Sequence, residues 1–252
     1  MRLAKVLLTI LLTSMSANAL PDEASEMEAR IMKQMSAPDR HAWDLRRDAP
    51  RKPVETFQFL GLRAGMVALD IGAYAGYTTE MLSAGVGPDG TVYMQNTQEV
   101  IEEYAQGYYE RTIAERLANN RLPNVALHVR EYDDLGLRDE VDVAFLGNLI
   151  HDFYNRDGEE NTLRFLASIR TALKPGGVLG VMDHVGDADQ PNGELHRIDP
   201  EIARDLLNRA GFQIEAESDL FANSRDDHTL MVYDDAVYLQ TDRFLFRAIS
   251  PD

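Results

Sequence analysis

The chain has 252 residues and no cysteine, and its 25 basic and 42 acidic side chains leave a formal charge of −17. A hydrophobic share of 44% is that of a globular protein long enough to bury a sizeable core. The lack of thiols excludes disulfides, thiolate metal sites and cysteine nucleophiles. The negative balance makes nucleic acid and anionic membrane poor partners, so a small-molecule substrate is expected.

The first segment reads as a signal peptide. Arg2 and Lys5 flank the apolar run from Val6 to Leu12, and Ala17-Asn18-Ala19 supplies a cleavage site, so residues 1–19 are expected to be removed and the protein to be periplasmic or secreted. The run is too short to anchor in a bilayer. Residues 20–50 form an N-terminal helical or extended segment in which Met27, Ile31 and Met35 fall at helical spacing. Residues 51–252 form the main domain.

Within that domain strands and helices alternate. A helix from Pro53 ends at Gly61, and Met66 to Ile71 is an apolar strand leading into a glycine-containing turn and a helix near Thr78. Thr91 to Gln95 is a second strand, and one long helix is predicted over Glu99 to Ala118. Val125 to Val129 and Val141 to Leu146 are further strands, and a helix over Glu159 to Leu173 ends at Lys174-Pro175-Gly176-Gly177. Val178 to Met182, Phe212 to Glu217, Thr229 to Tyr233 and Phe244 to Ile249 complete the strands, with a helix over Pro200 to Ala210. Apolar strands separated by helices imply an α/β fold with a mostly parallel sheet. Ligands in such sheets bind outside the carboxyl ends of the strands.

The residues at those ends are distinctive. Asp70-Ile71-Gly72-Ala73-Tyr74-Ala75-Gly76 follows the first strand, where small residues allow a tight turn and close approach of a ligand to backbone. Gln95-Asn96 ends the second strand, and Asp133-Asp134 follows the third. Gly147-Asn148-Leu149-Ile150-His151-Asp152 follows the fourth, and Asp183-His184 the fifth. These blocks, with Leu195-His196-Arg197-Ile198-Asp199, Asp227-His228-Thr229 and Thr241-Asp242-Arg243-Phe244, resemble the secreted predicted methyltransferases of Gram-negative bacteria. The likeness runs from about Arg47 to Ser250.

The resemblance implies the Rossmann-like, seven-stranded fold of class I methyltransferases with a C-terminal antiparallel hairpin, S-adenosylmethionine as cofactor, and methyl transfer to an O or N nucleophile of a small molecule. It places the cofactor at Asp70, Gly72, Tyr74, Gly76 and Asn148, with Asn96 at the ribose and Asp133 near the adenine. Tyr74 stands where the family pattern has a glycine. Catalytic candidates are His151 as general base, Asp152 or Asp183 orienting it, His184 and His196.

Two other readings stand beside this one. One is a methyltransferase-fold binding module without catalysis. The other is a metal-dependent enzyme using His151, Asp183, His184 and His196. His41 and His128 are expected to be structural, Tyr104, Tyr108 and Tyr109 to be core packing, and Arg51 and Arg197 to form surface salt bridges or to hold a substrate carboxylate.

Overall fold

Strand and helix alternate along the chain as the apolar runs require. A computed structural model describes residues 23–251; the expected signal peptide, 1–19, lies outside them. Helix α1 (Glu23–Met35) and helix α2 (Pro53–Leu60) precede strand β1 (Val67–Ile71) and helix α3 (Tyr77–Val86). Then come β2 (Thr91–Asn96), α4 (Gln98–Glu102), α5 (Tyr108–Leu117), β3 (Val125–Val129), β4 (Val141–Gly147) and α6 (Glu159–Ala172). Strand β5 (Leu173–His184), α7 (Pro200–Arg209), β6 (Gln213–Ser218) and β7 (Arg243–Ile249) follow.

The seven strands form one sheet in the order β3-β2-β1-β4-β5-β7-β6. The first five are parallel, while β7 runs antiparallel to both β5 and β6. This is the expected α/β architecture with its antiparallel pair at one edge. The strand order turns back between β1 and β4, and a crevice opens beyond their carboxyl ends at such a point. Ile71 pairs with Leu146, Gly147 with Met182, and His184 with Arg243, so these strand ends lie in one row.

Each face of the sheet carries an apolar core. One is built by α6 and α7, with Phe165, Leu166, Ile169 and Leu206 against Leu69, Leu146 and Val181. The other includes Met27, Ile31, Phe57, Met81 and Leu82 from α1, α2 and α3. Met27 and Ile31 are wholly buried, each worth roughly 1.5–3 kcal/mol of apolar burial, so the N-terminal segment shares the main core. Among the described residues no helix is long and apolar enough to cross a membrane.

Two predicted elements differ. The long helix breaks between Glu102 and Tyr108, where Gln106 (φ 54°) and Gly107 (φ 72°) take left-handed backbone. Thr229 to Tyr233 is not a strand but part of an irregular loop, 222–242. Local turns replace sheet pairing there: Thr229 donates to the Asp227 carboxylate through both N and Oγ1, and Val232 N donates to Leu195 O.

Candidate active-site cleft

The turn after β1 is held from behind by β2. Gly72 N donates to Gln95 Oε1 (2.8 Å) and Tyr74 N to Asn96 Oδ1 (2.8 Å), while Asn96 Nδ2 donates back to Tyr74 O (3.2 Å). Tyr74 sits at φ 48°, a left-handed conformation that costs a non-glycine residue about 1–2 kcal/mol. Asn96 compensates by satisfying both polar groups of its backbone. The expected ribose contact of Asn96 is therefore corrected: its side chain is wholly buried and its amide is spent on this turn. Gln95 is likewise structural, its Nε2 donating to Arg130 O.

Asp133 needs a second correction. It is exposed and belongs to a separate depression with Glu131, Asp157 and Arg164. Beside the turn lies Tyr132 instead, wedged against Phe153 and Phe165. A Cβ on Gly72 would meet Leu149 Cδ2 at 2.5 Å and Tyr132 Oη at 3.3 Å, so this glycine is required by packing within the protein.

Over the turn lies a cleft of about 460 Å³, within the usual range for small-molecule sites. Its floor is Asp70 to Thr78 with Gly147 and Asn148; one wall carries Tyr104, Tyr108 and Tyr109, and another Tyr233, Tyr238 and Leu239 from the irregular loop. Tyr104 and Tyr108 are exposed, which corrects their expected place in the core. The helix break at Gln106–Gly107 separates them, and stacking of Tyr104 on Tyr109 with edge contact from Tyr108 replaces a core stripe.

One end of the cleft is cationic. Arg47, Arg51 and Arg243 line it. The Arg51 guanidinium lies over the Tyr77 ring and makes no hydrogen bond or ion pair among the described residues; burial and the neighbouring Arg47 charge pull its pKa below the ordinary guanidinium value. Arg243 donates to Pro50 O (2.7 Å), and burial followed by the Arg51 charge lowers it to about 10. Asn148 Oδ1 is buried without a hydrogen-bond partner. Arg197 is not on the surface: it is wholly buried and bonded through both Nη atoms to Asp226.

Asp70 lies beneath the turn and accepts from Thr79 Oγ1 at 2.5 Å. Burial pushes its pKa up to about 7, against the bond from Thr79 and the charge of Arg51. Between the unfolded value near 3.8 and 7 the folded chain keeps a proton that the unfolded chain has released. Asp70 therefore subtracts from stability as pH rises through that window. Denaturant titrations at pH 5 and pH 8 should show Asp70→Asn gaining on the wild type at the higher pH. A stability difference between the two proteins that is the same at both pH values would refute this.

The other end carries the histidines. Asp183 is wholly buried and accepts from His151 Nδ1 (2.7 Å), His151 N (3.0 Å) and His184 N (2.7 Å). Burial opposes a charge on His151, but Asp183 and Asp152 override it and raise its pKa to about 10. His151 sits behind the cleft wall between two carboxylates, with Nδ1 on Asp183 and Nε2 beside Asp152, and does not line the cleft as the expected base would. His184 lines the cleft with Nδ1 on Thr241 Oγ1 (2.7 Å), and burial lowers its pKa to about 3. His196 and Asp152 also line the cleft and pair with each other, Nδ1 to Oδ1 at 3.0 Å. The expected grouping of His151, Asp183, His184 and His196 is replaced by His151, Asp152 and His196, with Asp183 behind them.

No family model matches the chain, and no curated protein matches its sequence. Solved structures do. A SAM-dependent methyltransferase from Aquifex aeolicus superposes with a TM-score of 0.60 at 21% identity, covering 88% of this chain and 97% of that one. This chain has the class I methyltransferase fold. The [4+2]-cyclase SpnF has the same fold, with a TM-score of 0.61 at 18% identity over 92% of this chain and 97% of its own. So does a structure described as a possible exported protein from Bordetella parapertussis, with a TM-score of 0.54 at 15% identity, covering 81% and 68%.

Proposed function

We propose that this chain is an exported S-adenosylmethionine-dependent methyltransferase acting on an O or N nucleophile of a small molecule, and a member of the secreted Gram-negative family it resembles. One juxtaposition carries the reading: a buried, unpartnered acceptor, Asn148 Oδ1, and an unpaired guanidinium, Arg51, line the same cleft over the Gly72–Gly76 turn. An α-amino acid end group presents an ammonium donor and a carboxylate, which those two groups complement. Asp70 adds a carboxyl and the Tyr74–Tyr109 pair an aromatic surface. The end of β2 offers the ribose no acidic partner, since amides stand at Gln95 and Asn96, and both are committed to the turn.

When bound, S-adenosylmethionine supplies an electrophilic methyl group. The residues of this chain then hold the acceptor in line and exclude water, from which most of the acceleration of such a transfer comes. The Asp152–His196 pair is the proton acceptor on the cleft wall, the carboxylate orienting the imidazole. Tyr233 and Tyr238 cover the cleft from the irregular loop. A second reading, a binding module on the same fold without methyl transfer, is favoured by the missing ribose acid. Binding without turnover on any acceptor would mark it.

Arg51→Ala is expected to weaken binding of S-adenosylhomocysteine at least tenfold, with Arg51→Lys recovering part of the loss. Calorimetric titration measures both. An Ala variant that binds as tightly as the wild type would remove Arg51 from the carboxylate role.

A further inference from the structure

The His151–Asp152–His196 cluster has a geometry that paired side chains alone do not require. His151 Nε2 is buried and without a hydrogen-bond partner, although it lies 3.2 Å from Asp152 Oδ1. His196 Nδ1 approaches the same oxygen at 3.0 Å. One atom from each of the three residues falls within 4.8 Å of the others. Imidazole nitrogens and carboxylate oxygens bind a divalent transition ion at about 2.0–2.2 Å, which sets neighbouring ligand atoms about 2.8–3.6 Å apart between octahedral and tetrahedral coordination. Both measured edges fall in that interval.

We propose that His151 Nε2, Asp152 and His196 form a binding site for one divalent first-row transition ion, such as zinc, in the wall of the cleft. Asp183 stands behind it as the positioning residue. Its Oδ1 holds His151 Nδ1 at 2.7 Å, which turns Nε2 toward the site, and its carboxylate is fixed in turn by the backbone N–H groups of His151 and His184. A carboxylate behind a ligating histidine is a recurrent way of fixing the ring and raising its basicity. Two imidazoles and one carboxylate suit such an ion better than magnesium or calcium, which prefer oxygen ligands.

Asp152 and His196 line the cleft, so an ion held there would border it. This is the arrangement of a site that works on a bound molecule, in contrast to a closed structural site. The ion and a proton compete for the same nitrogen lone pairs, so occupancy falls as pH is lowered. An acceptor hydroxyl bound to the ion would lose its proton to water more readily, the ion then replacing the Asp152–His196 pair as the activator. That role rests on the methyl-transfer reading; the site itself does not.

The test uses the untagged, chelator-treated chain, with zinc chloride followed by calorimetry and cobalt chloride by visible absorption. The expected result is one ion per chain with micromolar or tighter affinity and the absorption of four- or five-coordinate cobalt. Affinity should fall at least 100-fold in Asp152→Asn and His196→Ala, and about 10- to 100-fold in Asp183→Asn. His228→Ala should bind as the wild type, because His228 is paired with Asp187 and Asp242, outside the cluster. A folded wild type that takes up neither ion overturns the proposal, with no variant needed. So does affinity unchanged in the Asp152 and His196 variants, or lost in the His228 variant. Zinc binding without S-adenosylhomocysteine binding keeps the site and removes its role in methyl transfer.

Discussion

Asp183→Ala is expected to lower the folding stability of the metal-free protein by about 3–5 kcal/mol, the range for removing one partner of a buried ion pair. The carboxylate is wholly buried and neutralises His151, itself buried with little access to water. Removal leaves an imidazolium whose remaining charged neighbour is Asp152, 3.2 Å from Nε2. It also strands the backbone N–H groups of His151 and His184. Guanidinium unfolding gives the loss directly. The double variant Asp183→Ala/His151→Leu should recover part of it, because the orphaned charge goes with the histidine. A single variant within 1 kcal/mol of the wild type would contradict this account of the histidine end.

Arg197→Met is expected to cost a similar amount, about 3–5 kcal/mol by the same argument, and to loosen the cleft. Arg197 is wholly buried and donates to Asp226 through Nη1 (2.9 Å) and Nη2 (3.0 Å), to Val185 O (2.9 Å) and to Leu230 O (3.0 Å). Asp226 accepts further from Asp242 N and His228 N, so one ion pair gathers both ends of the loop 222–242. Irregular segments of that length are usually functional lids when they are ordered, and this one carries Val232, Tyr233, Tyr238 and Leu239 onto the cleft. Arg197→Met should therefore lose stability and also speed amide exchange across 222–242. The double variant Arg197→Met/Asp226→Asn should recover stability without restoring loop protection. Unchanged exchange in the loop of a folded single variant would show that the pair does not hold it.

The fold was legible because it rests on patterns of one residue type. Runs such as Val67–Ile71 and Val141–Leu146 are apolar but for one aspartate each and largely buried, as strands covered on both faces are expected to read. Glycine turns marked where they stop. The cleft's histidine end was legible in part for the same reason, since His151, Asp183 and His184 follow apolar strands.

What stayed hidden depends on pairing between distant residues. Asn96 has the position of a ligand residue, and only the left-handed turn at Tyr74, 22 residues earlier, shows why its amide is spent elsewhere. His151 looks like a base until Asp183, 32 residues later, is seen to hold it as a cation. Thr229 to Tyr233 is rich in apolar and aromatic residues like a strand, yet no sheet edge pairs with it, and Arg197 holds Leu230 within it by a carbonyl contact that leaves no mark in composition. The tyrosine wall is a consequence of Gln106 and Gly107 leaving helical backbone, and a glycine in a helical pattern signals such a break only weakly.

Calorimetric titration of residues 20–252 with S-adenosylmethionine and S-adenosylhomocysteine tests the central claim most directly. The account predicts one site per chain with micromolar affinity for both, weakened by Arg51→Ala. Heat of dilution alone from both compounds, in a protein shown to be folded, would contradict it.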